Sequence, residues 1–434
     1  MRWRRQMTLA TAAAHQHLFG QELTVAMKNF LQNLSLSLTG YVIANSLIFV
    51  SIVVAGRLLG PSQFGQYALT IALSQILIIP MLPGIDVAAM REVALHPQQL
   101  PQIAASGLFL LAACTLATWI GVLLVGDTAA RLLGLGGSVV RIAALIALAM
   151  AGKTFWDSIV RGSGAFRLQL WVRIVDAALI LFIFLAGYAW LGVHDWRLLA
   201  LGVTGGALAS AWIFYSWVGR GQLRWAGVTS AVTRRLVRYG WAGVIGAVAG
   251  ILLASADKVL LGNFLGSRGL GVYQAYYFAS VQLTGQLALI FLNVFFPAAV
   301  GQSDLAIVIR KLDRLVVRLA VPAIIGVSLF ILATLWLFSS AYERNLILVL
   351  LMSVYAVLWF IMMTYWTLIN TTGPRGILYA SLNALVAGVM YLLLVQQLLP
   401  LLELYAPPIA FLAAFGYMGG AIWLWRVRFR FTLR

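Results

Sequence analysis

The sequence predicts an all-α, polytopic membrane protein with twelve transmembrane helices in two pseudo-symmetric six-helix bundles around a central cavity. Composition is the first indication: 62% of the 434 residues are hydrophobic, 10% are charged and the mean hydropathy is +0.95. Soluble domains are only about 45–50% apolar. Apolar runs of membrane-spanning length recur along the whole chain, and one short segment is repeated halfway along it. Each of these observations predicts a part of the architecture.

Twelve apolar runs are long enough to cross a bilayer core, which requires about 20 residues. They lie at about 34–56, 67–90, 102–125, 139–160, 169–192, 198–218, 239–262, 272–300, 316–338, 346–369, 377–399 and 407–425. We therefore expect an N-terminal segment 1–33, a first bundle 34–218, a linker 219–238, a second bundle 239–425 and a basic tail 426–434. The connections are too short for a soluble domain, so any site is expected among the helices.

The positive charges test this arrangement independently. The chain has 30 Lys+Arg, 12 Asp+Glu and a formal net charge of +18. With twelve spans, 23 of the 30 bases fall on the side that carries both termini, as the positive-inside rule requires of cytoplasmic loops. This pattern predicts a multi-pass membrane protein with both termini cytoplasmic. The surplus of positive charge is explained by the membrane topology and by contact of the basic tail with anionic lipids, so nucleic acid is not an expected partner.

The start of the chain only faintly resembles a signal peptide. The basic residues up to Arg5 are followed by an apolar run from Thr8 to Ala14 that is too short, and His15 and His17 follow it. We therefore expect no cleavage here. Met27 immediately precedes the first span and is an alternative start.

An internal repeat links the end of the first span to the end of the seventh, 206 positions later. The identical pairs are Gly56/Gly262, Leu59/Leu265, Gly60/Gly266, Gly65/Gly271 and Tyr67/Tyr273. Two six-helix halves related in this way place a binding site at their interface and allow the halves to rock about it. The glycines themselves are typical of short interfacial turns and of closely packed helices, and direct ligand contact is the alternative.

The repeated segment also resembles a known family. The Leu-Gly-x-x-x-Phe-Gly-x-Tyr pattern from Leu59 to Tyr67, its partial copy from Leu265 to Tyr273 and the preceding Asp257-Lys258-Val259-Leu260-Leu261-Gly262 are similar to the signature of Wzx-type polysaccharide flippases. These belong to the multidrug/oligosaccharidyl-lipid/polysaccharide exporter superfamily. The resemblance extends from about residue 34 to the C-terminus. It implies a V-shaped cavity, open alternately to either side, that turns over an isoprenoid-pyrophosphate-linked oligosaccharide, an O-antigen or exopolysaccharide unit. It further implies membrane lipids and polysaccharide assembly proteins as partners.

Ionisable groups within spans are functional candidates because they are expensive in a bilayer. Lys153, Asp157 and Arg161 are spaced i, i+4 and i+8 on the fourth span, and Arg173 and Asp176 are at i, i+3 on the fifth. These five residues form either a self-neutralised set of ion pairs at a helix end or a cationic vestibule for a pyrophosphate.

Further along the chain, Asp257 and Lys258 are adjacent on the seventh span and point about 100° apart, so at least one is expected to line the cavity. An ion gradient that titrates Asp176 or Asp257 is the candidate energy source. Near the end of the second span, Asp86 and Arg91 are expected to form an interfacial pair.

Neutral polar groups on the eighth span form a second candidate surface. Gln282, Gln286 and Asn293 fall at i, i+4 and i+11, on one helical face. Amides suit sugar hydroxyls, but they are equally common as hydrogen-bonding contacts between helices. Both interpretations remain open at this point.

Catalytic and metal-binding patterns are missing from the sequence. The chain has one cysteine, Cys114, and four scattered histidines, and no phosphate-binding Gly-x-x-x-x-Gly-Lys-Ser/Thr motif. We therefore expect no metal, no cofactor and no enzymatic activity. The competing functions are a drug or ion antiporter or a peptidoglycan-precursor flippase of the same superfamily, and an integral membrane glycosyltransferase or polymerase. A cation exporter would need uncompensated acids, and an enzyme of the latter kind usually has a large catalytic loop.

Overall fold

The structure is a computed structural model that describes residues 25–132, 134–219, 227–300, 305–370 and 372–432. Three parts of the expected organisation lie outside these residues: the N-terminal segment up to residue 24, linker positions 220–226 and the last two residues of the basic tail. Within the described residues the chain forms α-helices, three single turns of 3₁₀ or π helix and no β-strand.

The described helices, numbered in chain order, account for most of the chain. They are α1 Val25–Met81, α2 Ile85–Leu95, α3 Leu100–Leu132, α4 Gly137–Gly162, α5 Phe166–Trp190, α6 Trp196–Gly219, α7 Ser230–Ala254, α8 Ala256–Tyr277, α9 Leu283–Val300, α10 Leu305–Phe338, α11 Leu346–Asn370, α12 Pro374–Leu402 and α13 Ala406–Thr432. The π turn is Phe278–Gln282, and the 3₁₀ turns are Pro97–Gln99 and Glu403–Tyr405.

Nine helical segments in the described part of the chain are long and apolar enough to cross a membrane. Three of them, 41, 47 and 53 residues long, are about twice the length that one crossing requires. Each of the three contains a change of direction: at Gly60, at Gly266 and at the turn Glu403–Tyr405. Counting these three segments twice gives the twelve crossings that hydropathy predicts, in two halves of six.

The two repeat turns have the same backbone conformation. Gly60 (φ 73°, ψ 171°) and Gly266 (φ 70°, ψ −178°) interrupt α1 and α8. This region of backbone space is essentially restricted to glycine. Both turns lie on one face of the molecule, called here the turn face, and the even number of crossings places the C-terminal end of α13 on the opposite face, called here the termini face.

At the turn face the halves pack against each other reciprocally. A Cβ at Gly65 would overlap the carbonyl oxygen of Ser267, and a Cβ at Gly271 would overlap the carbonyl oxygen of Pro61. Since Pro61 and Ser267 are themselves 206 positions apart, the same backbone contact is made twice. The side chains of Ser62 and Ser267 meet at 3.1 Å beside it.

A tyrosine from the second half adds a further contact at this face. The Tyr342 hydroxyl donates to the Gly56 carbonyl at 2.8 Å. Burial raises the pKa of Tyr342 above its ordinary value, so this hydroxyl remains a donor even in alkaline solution.

At the termini face the second half contacts the first through α7. Gly240 is packed so closely on Gly84 that a Cβ at Gly84 would overlap the Gly240 carbonyl oxygen, and a Cβ at Gly240 would make tight contacts with Pro83 and Gly84. The Arg235 Nε lies 3.4 Å from Oε2 of the buried Glu92, and its guanidinium donates to Gln99 Oε1 at 2.9 Å. Hydropathy gave no indication of this ion pair, because Arg235 falls in a linker by composition.

Two spans predicted as continuous are broken. The span predicted at 67–90 stops at Met81 and restarts at Ile85, because Pro83 cannot continue a helix and Gly84 adopts φ 68°. The span predicted at 239–262 stops at Ala254, and Ser255 (φ −138°, ψ −32°) separates it from α8. The second break lies in an apolar stretch, where freed backbone groups need partners.

Candidate functional site

Charged side chains of α4 and α5 form one group near the termini face, called here the α4–α5 charge cluster: Lys153, Asp157, Arg161, Arg173 and Asp176. Lys153 Nζ pairs with Asp176 Oδ2 across the two helices. Asp157 Oδ2 lies 3.2 Å from an Arg161 nitrogen and 3.7 Å from an Arg173 nitrogen. All five predicted residues are therefore brought together by the packing of α4 on α5.

Two of the ion pairs in the cluster join α4 to α5 and do not follow the spacing along one helix. Asp176 pairs with Lys153 of the neighbouring helix, although Arg173 stands three residues away on its own helix. Arg173 instead reaches Asp157, and its guanidinium lies over the Tyr41 ring of α1 at 4.0 Å. The α4–α5 charge cluster thus consists of ion pairs that link α4 to α5, and α1 covers a part of it.

Three bases and two acids leave the α4–α5 charge cluster with one positive charge in excess. The bases are the accessible members: the side chains of Lys153, Arg161 and Arg173 are 30%, 38% and 27% exposed, against 7% for Asp176 and 14% for Asp157. Its open side is therefore cationic, which suits an anionic group. One Asp176 oxygen, Oδ1, has no hydrogen-bond partner among the described residues.

Sequence reasoning missed two members of this site. Gln169 donates to Asp157 Oδ1 at 2.8 Å and holds that carboxylate in place. Tyr41 supplies the aromatic face under Arg173. No spacing rule connects either residue to its partner, because the contacts depend on the turn between α4 and α5 and on the packing of α1.

Asp86 lies close to this cluster, outside the membrane-spanning segments. Burial raises its pKa, and backbone hydrogen bonds and the Arg161 guanidinium oppose this effect in part. Arg91, which was expected to pair with Asp86, lies over the Tyr239 ring of α7 at 3.8 Å. The expected interfacial pair is thus replaced by a cation–π contact between the halves.

Asp257 and Lys258 follow the break between α7 and α8 and are buried within the second half, 0% and 5% exposed. Asp257 Oδ2 accepts hydrogen bonds from the Tyr273 hydroxyl at 2.8 Å and the Tyr391 hydroxyl at 3.0 Å. The predicted cavity-lining position does not hold for either residue in this conformation. Their partners come from the interior of their own bundle.

The amide face of the eighth span follows directly on a π turn. Gln282, the last residue of the π turn Phe278–Gln282, is exposed, and Gln286 on α9 is half-buried. The turn shifts the helical register between this face and the residues that precede Phe278. The Asn293 side chain lies outside the described part of the structure. The neighbouring Tyr276 is fully buried, donates to the Glu343 carbonyl and accepts from the Asn345 amide, so its hydroxyl is already satisfied.

A further ion pair joins helices of the second half. Arg426 makes two bonds to Asp313, at 2.8 and 3.2 Å, and the Tyr365 hydroxyl donates to the same carboxylate. Arg426 was expected to contact lipid headgroups with the rest of the tail. It is instead held by residues of α10 and α11. No pattern in the sequence predicted the pairing of Arg426 with Asp313.

In the described part of the chain, no group of three or more His, Cys, Asp or Glu side chains could hold a metal ion. Cys114 is a free thiol on α3.

Comparison with known proteins identifies the fold. The structure resembles the inward-facing conformation of a multidrug resistance MATE family transporter of the MOP superfamily, with a TM-score of 0.63 and 17% identity over 90% of this chain and 94% of that chain. The outward-facing conformation of such a transporter gives a TM-score of 0.61 and 15% identity over 95% and 97%.

A third solved structure is a MOP superfamily transporter from Pyrococcus furiosus, for which reverse polarity of the binding pocket suggests a different function. It gives a TM-score of 0.60 and 14% identity over 92% of this chain and 95% of that chain. No curated protein sequence matches the chain significantly. The model of the family described as "Polysaccharide biosynthesis protein" matches residues 30–300, more than half of the sequence. The chain therefore belongs to the polysaccharide biosynthesis protein family and has the fold of MOP superfamily transporters.

Proposed function

We propose that this protein is a flippase that turns an isoprenoid-pyrophosphate-linked oligosaccharide, an O-antigen or exopolysaccharide unit, from the cytoplasmic to the outer face of a bacterial inner membrane by alternating access. Membership of the polysaccharide biosynthesis family and the MOP fold support this function. The termini face is the cytoplasmic one in this proposal, as the charge distribution predicts.

The observation that carries the proposal is the α4–α5 charge cluster. It presents three partly exposed bases near the face from which the substrate would enter, and both of its acids are already paired. A pyrophosphate would therefore meet an excess of positive charge with guanidinium donors suited to its oxygens. The exposed Gln282 offers an amide to the sugar part of the same molecule.

The same cluster disfavours an exporter of cationic drugs. Such a transporter needs accessible acids, whereas Asp157 and Asp176 are paired with bases and Asp257 is buried under two tyrosine hydroxyls. A peptidoglycan-precursor flippase shares the pyrophosphate chemistry. The two flippases differ in which lipid-linked unit accumulates when the protein is lost.

Depletion of the protein tests the proposal directly. Complete, unpolymerised lipid-linked oligosaccharides should accumulate on the cytoplasmic face of the membrane. Incomplete glycans would point to a glycosyltransferase or polymerase instead. Accumulation of the peptidoglycan precursor would assign the alternative substrate.

Charge reversal tests the role of the cluster. Arg161→Glu should reduce export without reducing membrane insertion, because it turns an excess of one positive charge into an excess of one negative charge. Arg167→Glu is the matched control, since Arg167 is an exposed base at the start of α5 that is not part of the cluster. Equal export by the two variants would remove the cluster from substrate binding.

A further inference from the structure

The break between α7 and α8 leaves a backbone carbonyl inside the second half without its helical amide donor. Ala254 is the last residue of α7, and its carbonyl accepts a bond from Lys258 Nζ at 2.5 Å and from the Tyr277 hydroxyl at 3.1 Å. In a continuous helix this oxygen would accept from the backbone amide of Lys258, which here lies 3.2 Å from the Ser255 carbonyl. The side-chain ammonium has taken the position of a backbone donor.

The surroundings of Lys258 Nζ are those of a desolvated cation. Besides the Ala254 carbonyl it has Asp257 Oδ1 at 3.5 Å and the centre of the Tyr277 ring at 3.5 Å. The side chain is only 6% exposed. One carboxylate, one carbonyl and one aromatic face match a single positive charge, and a divalent ion would require more anionic oxygens.

The second carboxylate oxygen fixes the geometry of this pocket. Asp257 Oδ2 is held by the hydroxyls of Tyr273 and Tyr391, which leaves Oδ1 directed at the ammonium. Tyr355 donates to the Leu253 carbonyl at 3.3 Å, so the last turn of α7 is also held from the side. The carboxylate and the exposed carbonyl are therefore supported by groups other than the lysine.

The first half shows that the architecture itself does not need this arrangement. The positions 206 residues earlier are Phe49, Ser51 and Ile52 in place of Ser255, Asp257 and Lys258, and α1 is helical through them. The Ser51 hydroxyl simply donates to the Leu47 carbonyl on its own helix. The break and the charges are thus features of the second half alone.

We propose that Lys258 is a tethered cation that fills a monovalent-cation site at the α7–α8 break, and that the chain without this ammonium binds Na⁺ or K⁺ between Ala254, Asp257 and Tyr277. Carbonyls at the ends of broken helices are a common source of ligands for such ions in transporters. In the native protein the fixed ammonium excludes a free alkali ion from this pocket. The inference holds for any transported substrate.

Removal of the ammonium tests the proposal. Lys258→Ala is purified in detergent and unfolded thermally in NaCl, KCl or choline chloride at equal ionic strength, and binding of radiolabelled Na⁺ is measured in parallel. We expect the midpoint to be lower than that of the wild type in choline and to rise by a few degrees in NaCl or KCl. Radiolabelled Na⁺ should bind to the variant and remain at background for the wild type.

Two matched variants separate the site from a general salt effect. Lys258→Met fills the pocket without a charge, so it should be destabilised equally in all three salts. The double variant Asp257→Asn, Lys258→Ala lacks the anionic ligand and should bind no Na⁺. Binding by the wild type, or the same midpoint for Lys258→Ala in Na⁺, K⁺ and choline, would overturn the proposal.

If Lys258→Ala is unstable during purification, recovery of folded protein becomes the measurement. Higher yields of Lys258→Ala and Lys258→Ser in NaCl or KCl than in choline support the site. Equally poor recovery in all three salts contradicts it.

Discussion

The reciprocal glycine contact at the turn face makes a quantitative prediction for Gly65→Ala and Gly271→Ala. A Cβ at Gly65 would lie 2.7 Å from the backbone nitrogen of Gly271, and a Cβ at Gly271 would lie 3.0 Å from the nitrogen of Gly65, with carbonyl oxygens closer still. Ordinary contacts of this kind are about 3.5–4.0 Å. Because the opposing atoms are backbone, no side-chain rotation relieves the overlap, and the two halves must move apart.

The energetic cost follows from this overlap. One extra methyl group in a packed interface typically costs about 1–3 kcal/mol. Opening of the turn face removes the contact and hence the cost, so the substitution shifts the equilibrium toward the open arrangement. Since about 1.4 kcal/mol changes an equilibrium tenfold, we expect the ratio of closed to open molecules to fall by roughly one order of magnitude. The two substitutions affect one shared contact, so their effects should not add.

Disulfide formation between Ser62→Cys and Ser267→Cys measures the closed fraction. Their hydroxyl oxygens are 3.1 Å apart, and a small side-chain rotation brings two sulfurs to the bonding distance of about 2.05 Å. Cys114 is the single native cysteine and is replaced by serine. Gly326→Ala on α10 is the control, because a Cβ there meets nothing within 4 Å. Cross-linking of Gly65→Ala at the control rate would refute the packing described here.

Three further predictions concern charged groups. Lys153→Met should destabilise the protein by about 3 kcal/mol, because it leaves the Asp176 carboxylate, 7% exposed, without its counterion. The double variant Lys153→Met, Asp176→Leu should recover most of the lost stability, as measured by thermal unfolding. Arg235→Gln should destabilise the protein by a similar amount, about 3 kcal/mol, because it leaves the Glu92 carboxylate, 3% exposed, without its counterion, and Glu92→Gln in the same chain should recover most of the loss. Asp86→Asn should raise the midpoint of thermal unfolding at neutral pH, because a pKa raised by burial means that ionisation of Asp86 destabilises the folded state as pH rises. At about pH 3, below the ordinary aspartate pKa of about 3.9, the substitution should leave the midpoint unchanged. A midpoint difference that persists at acidic pH would contradict this reasoning.

The number of crossings and the positions of the repeat turns were predictable because both depend on local sequence. The span predicted at 346–369 corresponds to α11, Leu346–Asn370. Gly60 and Gly266 were visible as turn residues because their conformation requires glycine whatever surrounds them. Hydropathy and single-residue constraints are sufficient for features of this kind.

Features that depend on packing were not predictable. The stretch 239–262 is apolar apart from Ser255, Asp257 and Lys258 near its end, so hydropathy predicts one helix. The break at Ser255 depends on donors that arrive from Lys258 and Tyr277 to satisfy the freed Ala254 carbonyl.

Helical spacing predicted only a part of the α4–α5 charge cluster. It gives the Asp157–Arg161 pair at i, i+4, but it compares residues on one helix, whereas Lys153 and Asp176 pair between two.

The same physical argument explains why the repeat survives in some places and is lost in others. At the turn face, Gly65 and Gly271 contact each other's half, so a larger residue at either position strains both sides of the pseudo-twofold axis. Ser51 and Asp257 are also related by the repeat, but each is buried within its own half and needs partners only there. Positions of the first kind are constrained to remain alike, and those of the second kind are free to diverge. The pair Gly65 and Gly271 therefore marks the interface between the halves, and the chemistry that distinguishes the halves should be sought where the repeat is broken.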